Sequence, residues 1–165
     1  VKIKAKAWAA AGSDARMNGC EMPVIINSGS GNQGITVSMP VLAYAKEYNI
    51  EEEKIYRALV VSNLVAIHQK TTIGRLSAYC GAISAGCAAG CGIAFLMGED
   101  LETISKTLTN SLAITSGVIC DGAKIPLFSQ TPKSFWENVC FLLSFFAYPC
   151  FMRSEIVHSS LHKYM

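Results

Sequence analysis

The stretch from Thr72 to Gly98, TIGRLSAYCGAISAGCAAGCGIAFLMG, constrains the chain more than any other. Glycine, alanine and serine recur so densely in it that one flank of any helix it forms is nearly bare, and neighbouring backbones must then approach closely. Cys80, Cys87 and Cys91 fall at i, i+7 and i+11, which is one helical face. A thiol-lined face without bulk is either a close-packing surface or a place where a cluster or substrate sits. A rise of about 1.5 Å per residue puts Cys80 about 16 Å from Cys91 and about 10 Å from Cys87, so an unbroken helix cannot offer all three to one iron–sulfur cluster. Cys87 and Cys91 lie about 6 Å apart along the axis. They can share a metal, but their alanine and glycine neighbours favour buried packing thiols. Cys80 is better placed to meet a cysteine from another element.

With 165 residues, 51% of them apolar, the chain is one domain's worth and long enough to bury a core. Its net charge is only +2 and its basic residues form no run, which leaves a nucleic-acid partner without support. No segment reaches the roughly 18 uninterrupted apolar residues of a membrane span. The nearest, Val139 to Met152, is too short and is broken by Pro149. Seven cysteines is an odd number, and several sit in helix-like sequence rather than in the loops of a disulfide scaffold, so a reducing cytoplasm is expected. The chain begins at Val1, directly in helix-like sequence, which reads as a piece of a longer protein.

From the start, Lys2 to Ala11 is alanine-rich and predicts a helix, which the following GSDARMNGCEMP is expected to stop. Asp14 and Arg16 then lie in irregular sequence, as a local ion pair or as a pair holding a loop against an active site. Pro23 to Asn27 is the only candidate strand. It opens into NSGSGNQG, where Gly29, Gly31 and Gly34 spell a dinucleotide fingerprint. That fingerprint needs a second strand ending in an acidic residue, and none follows. The segment Ile35 to Tyr48 runs instead through Asn49 into Glu51-Glu52-Glu53, which is a helix N-terminus. Without a nucleotide, Gly29 and Gly31 beside Ser28, Ser30 and Asn32 still suit a carboxylate or phosphate at a helix N-terminus, or form a plain turn with N-cap serines.

Glu51 to Gln69 predicts a long helix with Ile55, Leu59, Ser62 and Ala66 on one face; His68 near its end reads as a dipole partner. Gly74 is expected to open the central helix, with Arg75 in its first turn. A further helix runs from Leu101 to about Val118, with Leu101, Ile104, Leu108, Leu112 and Thr115 on one face, and ends at ICDGAK with Cys120 open to reaction chemistry. Past Lys124 the sequence becomes aromatic, holding six of the seven phenylalanines, with helix expected around Phe135 to Phe146. The fold expected is mainly α, in a domain over residues 1–124 with a divergent, aromatic-rich tail over 125–165 that reads as out of frame.

GSDARMNGC at Gly12 to Cys20, NSGSGNQG at Asn27 to Gly34, IGRLSAYCGA at Ile73 to Ala82 and ICDGAK at Ile119 to Lys124, in that order, resemble the L-cysteine desulfidase family. That family is related to the alpha chain of the iron–sulfur L-serine dehydratases. The resemblance implies an incomplete copy of that helical domain and a 4Fe-4S cluster held by three cysteines. The cluster acts there as a Lewis acid in the breakdown of L-cysteine to pyruvate, sulfide and ammonia. Two ligands carry over to Cys80 and Cys120. The third follows the DGAK motif in the family, and here Leu127 stands in that place. The family's general-base cysteine belongs to an N-terminal region outside this chain. The resemblance further implies that Ser28, Gly29, Ser30, Gly31 and Asn32 hold the substrate carboxylate, with Lys70, Arg75 and Lys124 as candidate cations. The expected partners are L-cysteine or L-serine and, as a homodimer, a second copy. Serine dehydration on the same scaffold and an inactive remnant without a cluster are the competing readings.

Overall fold

A computed structural model of the chain describes residues 1–115 apart from Arg75, Leu76 and Ala78. Five helices follow one another: α1 Lys2–Met17, α2 Gly31–Glu47, α3 Glu52–Ile73, α4 Gly81–Met97 and α5 Leu101–Thr115. The described residues contain no strand, so the chain is mainly α as expected. No described helix is long and apolar enough to cross a membrane.

Short connections make successive helices antiparallel neighbours. Lys4 at the start of α1 pairs with Glu47 at the end of α2, with Nζ and Oε2 2.9 Å apart. At the other end Arg16 Nη1 donates to Asn32 Oδ1 at 3.0 Å. α2 packs on α1, α3 and α4, and α4 packs on α2, α3 and α5. α4 is the buried axis, and most of its residues from Ala82 to Leu96 are shielded from solvent. Its bareness lets α3 approach: a Cβ built on Gly92 lies 2.7 Å from Ser62 Cβ and 3.0 Å from the Ala58 carbonyl oxygen. Val41, Tyr44, Ala58, Ile93 and Leu96 form the main apolar cluster, with Trp8 and Phe95 packed on it.

Several boundaries differ from expectation. α1 does not stop at Ala11 but runs to Met17, because Gly12 fits under the Ile35 side chain and Ser13 is fully buried. Its stop is Gly19 at φ 87°, where Gly19 N donates to Arg16 O and Cys20 N to Ala15 O, a Schellman ending. Asp14 and Arg16 are therefore helical, and Arg16 turns to Asn32 rather than to Asp14. Pro23 to Asn27 is not a strand; only an isolated bridge joins Asn27 to Ser30. Gly74, at φ 84°, ends α3 instead of opening α4, which starts only at Gly81 with Cys80 as N-cap.

The buried face of α5 is Thr107, Asn110, Ser111 and Thr115, while Leu101 and Leu112 of the expected apolar face are exposed. The hydroxyls allow this by bonding back along the helix: Thr107 Oγ1 to Thr103 O, Ser111 Oγ to Thr107 O and Thr115 Oγ1 to Ser111 O. Thus satisfied, short polar side chains pack on α4 without stranding a donor. α5 is described to Thr115, and Val118, Cys120 and the aromatic tail lie outside the described residues.

Candidate functional site

The bundle is polar at one end. Its large apolar cluster sits where α2 ends and α3 begins, whereas Ser13, Asn32, Gln33, Thr36, Gln69, Lys70 and Ser84, all buried, come from the end of α1, the start of α2, the end of α3 and the start of α4. The apolar residues packed between them are small: Val37, Ala66, Ala85 and Ala88. Burying polar side chains is costly without partners, so such a gathering is a functional candidate. Two of its helices, α2 and α4, point their N-termini at this end, which concentrates unpaired amides and positive dipole ends.

The α2 entrance is a tight turn. Asn27 and Ser30 exchange backbone hydrogen bonds of 3.3 and 3.2 Å across Ser28 (φ 50°) and Gly29 (φ 104°), two left-handed residues in succession. Ser30 caps the helix by accepting from Asn32 N at 3.2 Å. The turn is held from both sides: Asn27 Nδ2 donates to Asn63 Oδ1 of α3 at 2.8 Å, and Arg16 reaches Asn32 from α1. Gly34 lies against the Ile25 carbonyl so closely that no Cβ fits. The expected binding residues Ser28 to Asn32 therefore form one rigid structure, although the Ser30 hydroxyl already serves as a cap.

The α4 entrance is different. Cys80 is 7% exposed, and as N-cap its side chain makes no capping hydrogen bond to the first turn. The Gln33 side-chain amide lies directly on Gly81, again leaving no space for a Cβ. From α3, Gln69 Nε2 donates to Ser84 O at 3.1 Å, while Gln69 Oε1 is buried without a partner. Lys70 is buried and reaches Ser77 Oγ at 3.4 Å. Cys80, the turn before α2 and Lys70 are thus brought to one end of the bundle.

Cys87 and Cys91 are not part of it. Both are fully buried, and burial pushes each thiol up to about 12. The Cys87 thiol lies 3.8 Å from Thr115 Oγ1, and Cys91 Sγ lies 3.8 Å from Ile104 O. Neutral thiols engaged in packing agree with the sequence expectation. No three His, Cys, Asp or Glu side chains gather as a metal site among the described residues. Arg75, Lys124, Cys120 and Leu127 lie outside those residues.

Gln33, Gln69 and Thr36 escaped the sequence reading. The signal was there, as polar residues at helical spacing on otherwise apolar faces, but only the meeting of four helix ends shows that they converge.

A family model described as the serine dehydratase alpha chain matches residues 1–128. UPF0597 proteins match over 124 residues, or 75% of this chain, at 65% identity in Lachnoclostridium phytofermentans, 66% in Desulfitobacterium hafniense and 59% in Finegoldia magna. The chain spans 30%, 29% and 30% of these relatives respectively. No solved structure matches it. The family match runs through all five described helices and beyond them to residue 128, and the chain belongs to the serine dehydratase alpha chain family.

Proposed function

We propose that this chain is the part of an iron–sulfur amino-acid lyase that carries the substrate-binding end and two cluster ligands, with L-cysteine as the substrate. The observation that carries this is the polar end itself: two helix N-termini, a buried Cys80 and a buried Lys70 in one place within a serine dehydratase alpha chain domain. Cys80 fits a thiolate donor, since it stands at the positive end of α4, where negative charge is stabilised. Cys120 is the second ligand. Cys120 lies outside the described residues. Leu127 has no donor atom, so the third ligand is not supplied at that place.

When bound, the cluster supplies an iron with an open position, a Lewis acid for the departing group. The chain's own residues bind and orient. The Ser28–Asn32 turn and the first turns of α2 and α4 hold the carboxylate, and Lys70, Arg75 and Lys124 are the candidate cations. β-Elimination removes the α-proton and breaks the carbon–sulfur bond, and water converts the resulting aminoacrylate to pyruvate and ammonia. L-Serine is the second reading, favoured by the family description, with hydroxide leaving in place of sulfide.

Iron and acid-labile sulfide are measured after anaerobic reconstitution of this chain beside Cys80→Ala and Cys120→Ala, with sulfide and pyruvate assayed from L-cysteine and L-serine. Cluster uptake lost in both variants supports the assignment, and sulfide release decides for cysteine over serine. If no form takes up iron, the lyase reading of this chain fails and an inactive remnant is left.

A further inference from the structure

We infer that the outward face of α3 is an internal interface of the full-length family protein, covered there by an apolar surface of the polypeptide that lies outside the matched segment. Such an interface would exist whether or not the protein is a lyase.

A surface helix ordinarily turns its large apolar residues to the core and its polar ones to water. α3 does the reverse. Its buried positions are Ala58, Ser62, Ala66, Gln69 and Lys70, which are small or polar. Its bulk points outward: Tyr56, Val60, Leu64 and Ile67 are 58%, 56%, 59% and 44% exposed. Between residues 56 and 68 the only other exposed positions are Arg57 and His68. The close approach of α4 at Gly92 accounts for the small inner residues, but it gives no reason for the outer ones. Tyr56, Val60 and Leu64 stand at i, i+4 and i+8 and Ile67 at i+11, a ridge about 16 Å long of the kind that fits the grooves of a neighbouring helix. The Tyr56 hydroxyl donates to the Glu52 carboxylate of its own helix, which leaves the ring to pack. Arg57 is already paired with Glu53, so the surface asks for an apolar partner rather than a charged one. Ile25 and Ile26, 83% and 67% exposed, extend the patch, because Asn27 Nδ2 ties their segment to Asn63 Oδ1, one residue before Leu64. Contiguous exposed apolar surface marks an interaction site.

Chain length identifies the occupant. More than two thirds of each relative lies outside the match, although identity within it reaches 66%. In those proteins a helical domain this similar is joined to more than twice its own length of chain, and an exposed apolar ridge is where that chain gains most by packing. The family match stops at residue 128, so the aromatic segment after it is not the partner with which the ridge is shared across the family. A second copy of this chain would meet the ridge with the same ridge, a smaller contact than the roughly 800 Å² per partner of a stable complex.

Hydroxyl-radical footprinting read by mass spectrometry tests this in two proteins, this chain and the intact Desulfitobacterium hafniense relative, each normalised to its own unfolded state. The mass of this chain in solution is measured alongside. Tyr56, Val60 and Leu64 are expected to label freely in a monomer of this chain. At the aligned positions of the relative, labelling should fall about tenfold, the ratio of the 56–59% exposure here to that of a core residue. Equal labelling in both proteins overturns the inference. So does a ridge already protected in this chain, covered by its own tail if the chain is a monomer or by a second copy if it is a dimer. Leu64→Lys supplies a second readout: with the ridge exposed, it leaves the thermal midpoint of this chain in place. A marked fall, or loss of folding, would show the ridge already buried and overturn the inference as well. Neither readout involves turnover, so failure here leaves the proposed reaction standing.

Discussion

Replacing Gly92 by alanine tests the close approach on which the bundle is built. In a helix interior this change ordinarily stabilises, by about 1 kcal/mol, because glycine has more conformational freedom to lose. Here the new methyl would stand 2.7 Å from Ser62 Cβ, 3.0 Å from the Ala58 carbonyl oxygen and 3.0 Å from Val41 Cγ2. Unstrained carbon pairs sit at about 3.5–4.0 Å, so α3 and α4 must part by roughly 1 Å. The Ala58 carbonyl is backbone and moves only with its helix. Overpacking of this kind costs about 1–3 kcal/mol, and the rigid neighbours place Gly92→Ala at the upper end. The net effect is a loss of about 2 kcal/mol, read as a midpoint lowered by roughly 10 °C in thermal unfolding followed by circular dichroism. Adding Ser62→Gly removes the nearest atom, and the double variant should recover part of the loss beyond additivity. An unchanged or raised midpoint for Gly92→Ala would refute the close approach.

Ser30→Ala removes the cap on Asn32 N and should lower stability by about 1 kcal/mol in urea unfolding; no change would show that the cap is not used. Gly34→Ala drives a methyl into the Ile25 carbonyl and should cost about 3 kcal/mol by the same assay. In thiol labelling of the native chain, exposed Cys20 should react fast and buried Cys87 and Cys91 slowly; equal rates would contradict their burial. The alkaline limb of stability follows from the same thiols. Their folded pKa of about 12 lies above the ordinary 9.0, so their contribution is whole below about pH 9 and falls as pH rises towards 12, by about 1.4 kcal/mol per pH unit per thiol. Cys87→Ala should flatten the fall of the unfolding midpoint between pH 9 and 11, and an unchanged slope would remove that thiol as its cause.

Much of the bundle was legible from periodicity. Ile55, Leu59, Ser62 and Ala66 do line the inner face of α3, and α2 follows the apolar segment behind its glycine loop. What misled was glycine, whose role depends on neighbours that periodicity does not name. Gly12 looks like a stop yet continues α1 because Ile35 packs on it, and Gly74 looks like a start yet ends α3 at positive φ. The α5 face was only partly legible: Thr115 is buried and Ile104 and Leu108 half-buried as expected, but Leu101 and Leu112 are exposed, and Thr107, Asn110 and Ser111 take inner places that hydropathy, which ranks leucine above them, does not assign. The threonines go inward only because each hydroxyl is satisfied by its own helix, against a partner too bare to need large side chains. Of the candidate site, the turn before α2 and Cys80 carried local signals in glycine and cysteine. Gln33 carried only the weak signal of a polar residue on an apolar helix face, since it neither caps nor turns, and its contact with Gly81 on a distant helix is what singles it out.

The position of α4 also decides the order in which the domain opens. A helix enclosed by α2, α3 and α5 cannot expose its amides without parting most of the bundle, so its backbone protons should exchange with solvent only through global unfolding. α1 packs chiefly on α2 and α5 chiefly on α4, so either can fray while the remaining three helices hold. Arg16 travels with α1. The clamp on the α2 entrance would therefore be released in an early, partial opening, long before the glycine-rich axis that bears Cys80 and Gly81 gives way.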